Sequence, residues 1–577
     1  MAISDVSLTF RDGALGIAPP NSNQTHLKLG VAALGVVNQI YALSDPTTAV
    51  ATLGKGGPMV EAAALCFATQ VSASGPVQGG PVLCVPVNPS TYGTASAVTK
   101  VGTGAETLTV AVKNAMALNL KCITAGAVST SVFALSFDGG ATWPQTFTSA
   151  ATVMLPGCSL VTLAISGGSA VIGDTYSIST AGVVTTGGGN TGTQTVAISA
   201  ASPLDTYSAV VTITGAGALG AATFTYSLDG GNTTSPTQLV PASGTYVIPD
   251  TGLVLTFSGT STAGDYFTFT ATPASFSTTD LANAMTQVLA STQTWAFAHV
   301  VGAPSAVAGA ATLLAALDTQ LGTAAAAYRY ARGLIEVPSD TDANTLSGFA
   351  TASSTRVGAC AGYAYTTSAL NGRVTSRNSA WHAAARASKV PPSEDLGRVA
   401  SGSVAGITAP SVGAGATPVS ALLRDERATP GLDAGRFTTL RTIIGRQGFY
   451  VTHGRLMAPN GSDYTFLQNG RVMDIAATAV RNALLTYLND SVRVDSATGF
   501  ILEKDARSIE AFVDGQLRAA LTQPGYASDL TFQVSRTQNI LSTGTLATTL
   551  RVVPLGYASQ ITVDLGFTNP ALAVKAS

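Results

Sequence analysis

The sequence predicts a multidomain protein of mixed α+β and α/β character. It divides into a discontinuous α/β domain, two inserted tandem all-β modules of sandwich type, and a C-terminal α+β domain. Three observations predict this. Residues 448–566 read strand, two long helices, then three strands. Short apolar strands alternate with helical stretches on both sides of a long interruption, at 27–95 and 276–430. Inside that interruption a segment repeats 91 residues on, as Phe133-Ala-Leu-Ser-Phe-Asp-Gly-Gly140 and Phe224-Thr-Tyr-Ser-Leu-Asp-Gly-Gly231.

Taken in order, Val6, Leu8 and Phe10 alternate with polar residues and predict a short terminal strand within an arm, 1–26. A lone strand is unstable and must pair elsewhere. The α/β domain opens with an apolar β-capable run at 28–37, a helix over 59–69 and a buried strand at 82–87. Residues 96–187 and 188–275 then predict two β modules, joined at Gly187-Gly188-Gly189-Asn190. From Ile123 to Tyr328 there is no Lys, Arg or Glu. The Asp-Gly-Gly corners at Asp138 and Asp229 predict hairpins, since Gly-Gly tolerates positive φ. Calcium would need a D-x-D-x-D-G run, which is absent. Trp143, Tyr226, Tyr246 and Tyr266 read as core aromatics, with a sugar platform as the sharper alternative.

The α/β pattern resumes with helices at 281–291 and 306–331 and strands at 295–301 and 333–337. A helix after Thr341, a strand at 358–365 and a helix at 378–387 follow. The C-terminal domain is expected over 431–557. Its helix at 466–487 carries Val472, Ala476, Ala479, Val480, Ala483 and Tyr487 as one stripe. The helix at 503–521 buries Ile509, Phe512, Val513, Leu517 and Leu521, and Pro524-Gly525 stop it. Strands are expected at 530–534, 546–553 and 561–565, the last within a C-terminal arm, 558–577.

Composition narrows the function classes. Only 10% of the 577 residues are charged, and the net charge of −2 provides no basic face for nucleic acid. No window of about 18 apolar residues predicts a membrane span, and the N-terminus lacks the pattern of a secretory signal. Cys66, Cys84, Cys122, Cys158 and Cys360 contain no C-x-x-C pair. They read as reduced and buried, with inter-subunit disulfides as the alternative. The four histidines make no H-E-x-x-H or zinc spacing. Gly54-Lys55-Gly56 lacks the hydroxyl position of a phosphate loop. No catalytic, cofactor or metal residue is predicted, and the protein is expected not to be an enzyme.

A resemblance adds a function. Gly454-Arg455-Leu456-Met457-Ala458, Asp463, Gly470-Arg471-Val472-Met473-Asp474, Arg536-Thr537 and Val552-Val553-Pro554-Leu555-Gly556-Tyr557 resemble the C-terminal domain of contractile tail sheath proteins. Shorter echoes lie at 48–58 and 391–406. The resemblance implies a structural subunit that polymerises around an inner tail tube and contracts to drive it through a cell envelope. It implies as partners other copies of itself in stacked rings, the tube protein, and baseplate and tail terminator proteins. The place implied is a virion tail assembled in the host cytoplasm, with no cofactor, direct nucleic acid or membrane insertion. Val6, Leu8, Phe10, Ile561, Val563, Leu565 and Phe567 would form strands shared between subunits. Arg455, Arg471, Lys504, Arg507 and Arg518 would make ionic contacts with tube or neighbouring subunit. The alternative function is a surface adhesin holding a glycan or receptor on its β modules.

Overall fold

The computed structural model describes residues 25–68, 70–72, 75–77, 81–407 and 424–567. The chain divides into two compact units, 1–478 and 479–577. The first is built on a six-stranded sheet in the order Tyr41–Leu43, Val82–Pro86, His26–Gly30, Phe297–Val300, Arg332–Glu336, Val357–Cys360. All neighbours run parallel except the edge strand Tyr41–Leu43. A parallel sheet must be covered on both faces, which explains its nearly continuous apolar strands.

One face buries Leu27, Leu29, Val85, Ala298, Val300 and Ile335 under helices Thr278–Ala290 and Val307–Ala326. The first of these helices starts in a capping box, with Ser277 and Asp280 satisfying each other's backbone N–H. The other face packs under helices Pro58–Phe67 and Ser379–Ala387. The apolar run expected at 358–365 is two strands. Val357–Cys360 ends the sheet, and after Gly362 at φ 92° the chain turns into the hairpin Tyr363–Thr367/Val374–Asn378.

Two β-sandwiches intervene between Val82–Pro86 and Phe297–Val300. In one, a five-stranded sheet runs Gln145–Thr148, Val132–Ser136, Leu118–Thr124, Thr175–Ile178, Val184–Thr186. It faces a sheet of Thr152–Leu155, Cys158–Gly167 and Gln194–Ala201 across a core of Leu120, Phe133, Leu163 and Tyr176. In the other, Gln238–Leu239, Thr223–Ser227, Tyr207–Gly215, Tyr266–Ala271 and Thr99–Val101 face Thr245–Ile248, Leu253–Ser258 and Thr107–Val112.

The expected tandem division at Gly187–Asn190 is therefore corrected. Strand Gln194–Ala201 pairs with Cys158–Gly167, while Thr107–Val112 pairs with Leu253–Ser258 and Thr99–Val101 with Tyr266–Ala271. The modules are nested. Two strands at 99–112 complete the second sandwich, and the first sandwich is inserted after them. Position for position, Thr99–Val101 and Thr107–Val112 fill the places held by Val184–Thr186 and Gln194–Ala201. The two sandwiches are circular permutants of one pattern. A sequence trace exists, Thr107-Leu-Thr-Val-Ala-Val112 against Thr193-Gln-Thr-Val-Ala-Ile198, but at a different offset from the main repeat. The Gly-Gly-Gly-Asn stretch is a turn within the first sandwich, where Gly187 N–H donates to Thr175 O at 2.8 Å.

The second unit holds the helix Glu503–Ala520 against strand Asp529–Val534, which pairs antiparallel with Thr548–Val553. Ile509, Val513, Leu517 and Leu521 are buried as expected. Phe512 is not, being 41% exposed and set edge-on against Tyr487 at 5.8 Å between ring centroids. The preceding helix, Leu467–Leu484, continues into a 3-10 turn, Leu485–Tyr487.

The nested topology makes a prediction. Lys113 N–H donates to Gly252 O at 2.8 Å and Leu204 N–H to Thr251 O at 3.0 Å, so the ends of the first sandwich meet on adjacent residues. Excising 116–201 with a short Gly-Ser bridge should leave a soluble, cooperatively melting protein. Excising 96–187 should yield insoluble protein, because it strips two strands from the second sandwich. Solubility and circular-dichroism melts distinguish the two.

Candidate functional site

The residues expected to act between subunits fall in different settings. Val6, Leu8 and Phe10 lie outside the described residues. Ile561, Val563, Leu565 and Phe567 were expected as a strand shared between subunits, and within the single chain residues 561–567 take no regular structure. A strand exists only through a partner, and among the described residues none is offered. Ile561 is 78% exposed, Val563 76% and Leu565 92%, and Phe567 is fully exposed. In the same unit the sheet Asp529–Val534/Thr548–Val553 has just two strands, so both edges are open among the described residues.

The predicted cations also divide. Arg507 pairs with Glu503 at 2.6 Å, and Arg518 with Asp514 at 2.6 Å and Asp529 at 3.2 Å. Lys504 is exposed beside them. Arg536 reaches Glu503 at 3.0 Å and also pairs with Glu510. The hydrogen bonds from Arg536 and Arg507 hold the Glu503 carboxyl down to about 2. Exposed pairs of this kind are individually weak.

Arg471 is corrected as a surface contact, and Arg455 is partly buried and paired within its own unit. Arg455 grips Asp433 through Nη2 at 2.7 Å and Nε at 3.1 Å and lies over the Phe466 ring. Burial pushes the Asp433 carboxyl up, but hydrogen bonds from His453 and Arg455 outweigh it and hold the group at about 2. Arg471 is buried and donates to Ala387 O at 3.2 Å. Arg471 is enclosed, whereas Arg455 keeps part of its side chain exposed while held on Asp433.

Sequence reading missed two buried polar clusters. Glu61 on helix Pro58–Phe67, Asp205 between the sandwiches, and Arg373 and Arg377 on strand Val374–Asn378 and the turn before it form a buried quartet. Arg377 Nη2 meets Glu61 at 2.6 Å and Asp205 at 2.6 Å, and Arg373 Nη2 also meets Asp205. The two guanidinium groups stack on Tyr207 and Trp381, at 4.8 and 4.4 Å. Burial pushes the Asp205 carboxyl up, yet the charges of Arg377 and Arg373 hold it at about 2. The partners are 168 to 316 positions apart, so no local pattern joins them. The spacing of Arg373 and Arg377 on one strand face was the available signal.

The second cluster runs under the six-stranded sheet. Lys28 Nζ lies 3.1 Å from His299 Nδ1, and His299 Nε2 lies 3.4 Å from Glu336. Glu336 accepts from Trp381 Nε1 at 2.9 Å and from Gly302 N–H at 3.1 Å. Burial pushes His299 and His382 down to about 4, and burial together with the Lys28 charge holds His26 well below its ordinary value.

The Asp-Gly-Gly corners are hairpin turns with glycines at φ 74–98°. Each aspartate binds its own loop. Thr142 N–H and Oγ1 donate to Asp138 at 2.9 and 2.6 Å, and Thr233 does the same to Asp229 at 2.8 and 2.6 Å. Tyr226 and Tyr246 pack with Phe224 in the sandwich core. Among the described residues no group of three or more His, Cys, Asp or Glu is placed to hold a metal ion, and no helix is long and apolar enough to cross a membrane. All five cysteines are free and buried, which sets aside inter-subunit disulfides in this conformation.

The model for the DUF2586 N-terminal domain matches residues 3–455, and that for the DUF2586 C-terminal domain matches 463–572. The chain belongs to the DUF2586 family. No curated relative matches it. Among solved structures, this DUF2586 chain is similar to a sheath tail protein from Listeria innocua, at 12% identity and a TM-score of 0.39, covering 92% of this chain and 96% of that one. It is also similar to a sheath tail protein from Desulfitobacterium hafniense, at 10% identity and a TM-score of 0.38, covering 96% and 100%. A third likeness is to the contracted sheath complex of an extracellular contractile injection system, at 11% and 0.37, covering 50% and 74%. With TM-scores below 0.5, these are likenesses only.

Two predictions concern the buried clusters of this DUF2586 protein. Asp205→Ala leaves two guanidinium groups short of a buried partner and should cost about 3–5 kcal/mol in denaturant titrations. The histidines set an acid limit. Their folded pKa values lie below the ordinary 6.5, so folding favours the neutral ring. That stability is complete above about pH 6.5 and is lost as pH falls toward 4. Melting temperature should fall over that window, and His382→Gln should shallow the fall.

Proposed function

We propose that the chain is the structural, non-enzymatic subunit of a contractile tail sheath. In this reading copies of it polymerise as a helical stack of rings around an inner tail tube. Contraction then drives the tube through a cell envelope, with baseplate and tail terminator proteins closing the ends of the assembly. The place of action is a virion tail assembled in the host cytoplasm, without direct nucleic-acid contact or membrane insertion.

One observation carries the reading beyond the sequence resemblance. Residues 561–567 expose Ile561, Val563, Leu565 and Phe567 in strict alternation, with no partner strand among the described residues. Alternating apolar residues pay their way only in a ladder, and an open-edged two-stranded sheet lies in the same unit. Exchange of such segments between copies satisfies both, by strand addition. Val6, Leu8 and Phe10 carry the same alternation and would act likewise. Lys504, Arg507 and Arg518 remain as surface contacts to tube or neighbour. Exposed ion pairs are weak singly and exchangeable, which suits a sheath that must slide along its tube. No nucleotide motif is present in the sequence, so contraction would draw on free energy stored at assembly and released by rotation at subunit interfaces.

Electron microscopy of the concentrated full-length protein should show hollow striated tubes of uniform width. Deletion of 558–577 or of 1–20 should leave a folded protein that forms none. Normal tubes from either deletion would remove that segment from the assembly mechanism.

A further inference from the structure

The second sandwich holds an ionic triad that its permuted counterpart lacks. Lys100 on strand Thr99–Val101 stands opposite Phe267 on strand Tyr266–Ala271, and Asp265 sits two residues before Phe267. Lys100 Nζ lies 3.2 Å from Asp265 Oδ2 and 3.3 Å from Glu106 Oε2. Glu106 is 1% exposed and Asp265 4%. Nζ donates to the carbonyls of Gly104 at 2.6 Å and Glu106 at 3.2 Å, and lies 5.7 Å from the centre of the Phe267 ring. The loop between Lys100 and Glu106 closes over both carboxyl groups. A Cβ at residue 102 would collide with the Asp265 carboxyl, and one at 104 with that of Glu106, so glycine stands at each.

The first sandwich shows what the triad is not needed for. Asp174 holds the place of Asp265 there, and accepts from Val171 and Thr191 N–H at 2.8 and 3.0 Å. Strand register sets Thr186 opposite Tyr176, where the second sandwich sets Lys100 opposite Phe267. The match of Thr107–Val112 with 193–198 puts Gly192 at the place of Glu106. An aspartate can therefore tie this turn with neither a lysine nor a second acid beside it.

Two carboxylates and one ammonium would leave a surplus negative charge in a buried place, which one retained proton removes. Gly104 N–H, and after it a hydrogen bond from Glu106, hold the Asp265 carboxyl below its ordinary value, so that proton stands on Glu106. An amine is thus held against a carboxyl group, with a buried acid touching both. That is the geometry of a condensation.

We propose that Lys100 and Asp265 join in an intramolecular isopeptide bond, made by the chain itself with Glu106 as proton carrier. Glu106 passes its proton to Asp265 and takes one from the Lys100 ammonium. The free amine attacks Asp265 Cγ and a C–N bond forms. Negative charge gathers on Oδ1, which Thr103 N–H already meets at 3.2 Å. The bond from Cγ to Oδ2 then breaks, Oδ2 leaves as water on the proton Glu106 holds, and Nζ returns one proton to Glu106. One ammonium and one carboxylate become one amide and one water, and nothing is oxidised or reduced. The bond ties the first strand of the second sandwich to the turn before its last. The loop it closes contains the whole first sandwich, so it clamps the base of the insertion against unfolding. It forms within one chain and does not rest on the assembly reading.

The test is intact-mass spectrometry of the purified full-length protein under denaturing conditions. The wild type should weigh about 18 Da less than its unlinked chain, the loss of one water. A tryptic digest should contain a branched peptide joining Lys100 to Asp265, uncut after Lys100. Lys100→Met and Asp265→Ala should both show the full mass, a reading that does not depend on how well either folds. Glu106→Gln keeps the shape but cannot carry the proton, and should slow bond formation about a hundredfold or more. Full mass in the wild type after prolonged incubation at neutral pH overturns the proposal. So does a water loss that maps to other residues or persists in Lys100→Met. Unchanged cross-linking in Glu106→Gln overturns the role given to Glu106.

Discussion

The first unit depends on one constraint, that a parallel sheet has no face it can leave to water. Its central strand, His26–Gly30, is zipped by Val82–Pro86 on one side and Phe297–Val300 on the other. The chain thus leaves the sheet beside this strand, builds two sandwiches, and returns more than 200 residues later to its other side. Helices cover both faces, so every group on those strands is buried, polar ones included. Lys28, His299 and Glu336 are tolerated because they meet one another and Trp381 in one line. A buried charge is kept only when paired and hydrogen-bonded.

The inserted region solves a different problem, holding two sandwiches in place with almost no charge. Its aspartates act as turn ties. Asp138 and Asp229 fasten their own loops, Asp174 accepts from Thr191 N–H, and Asp265 from Gly104 N–H. The last two are equivalent places in the permuted pattern. Attachment to the framework falls to Asp205 and its two arginines, reinforced by Val374 N–H donating to Asp229 at 3.1 Å. A second ionic link, Lys55 to Asp250 at 2.7 Å, joins the same two parts.

The second unit has the opposite character. Its helix Glu503–Ala520 buries one narrow stripe and lays ion pairs across an exposed face. Its terminal segment exposes Ile561, Val563, Leu565 and Phe567, which nothing among the described residues covers.

What the sequence determined by itself was everything with a local period. Helices at 278–290, 307–326, 379–387 and 503–520 announce themselves through apolar spacing. Asp-Gly-Gly turns follow from the need for positive φ. Alternation at 561–567 is equally legible, but it specifies only a wish to pair, and pairing is a property of two segments. Hence no strand forms there among the described residues. Tertiary structure alone decided the nesting of the sandwiches, because register between distant strands is set by which cores they complete. It alone joined Glu61, Asp205, Arg373 and Arg377, and it alone turned Arg455 onto Asp433 and enclosed Arg471. An arginine reads the same in sequence whether it faces solvent or a buried carboxylate, and only the packing around it settles which.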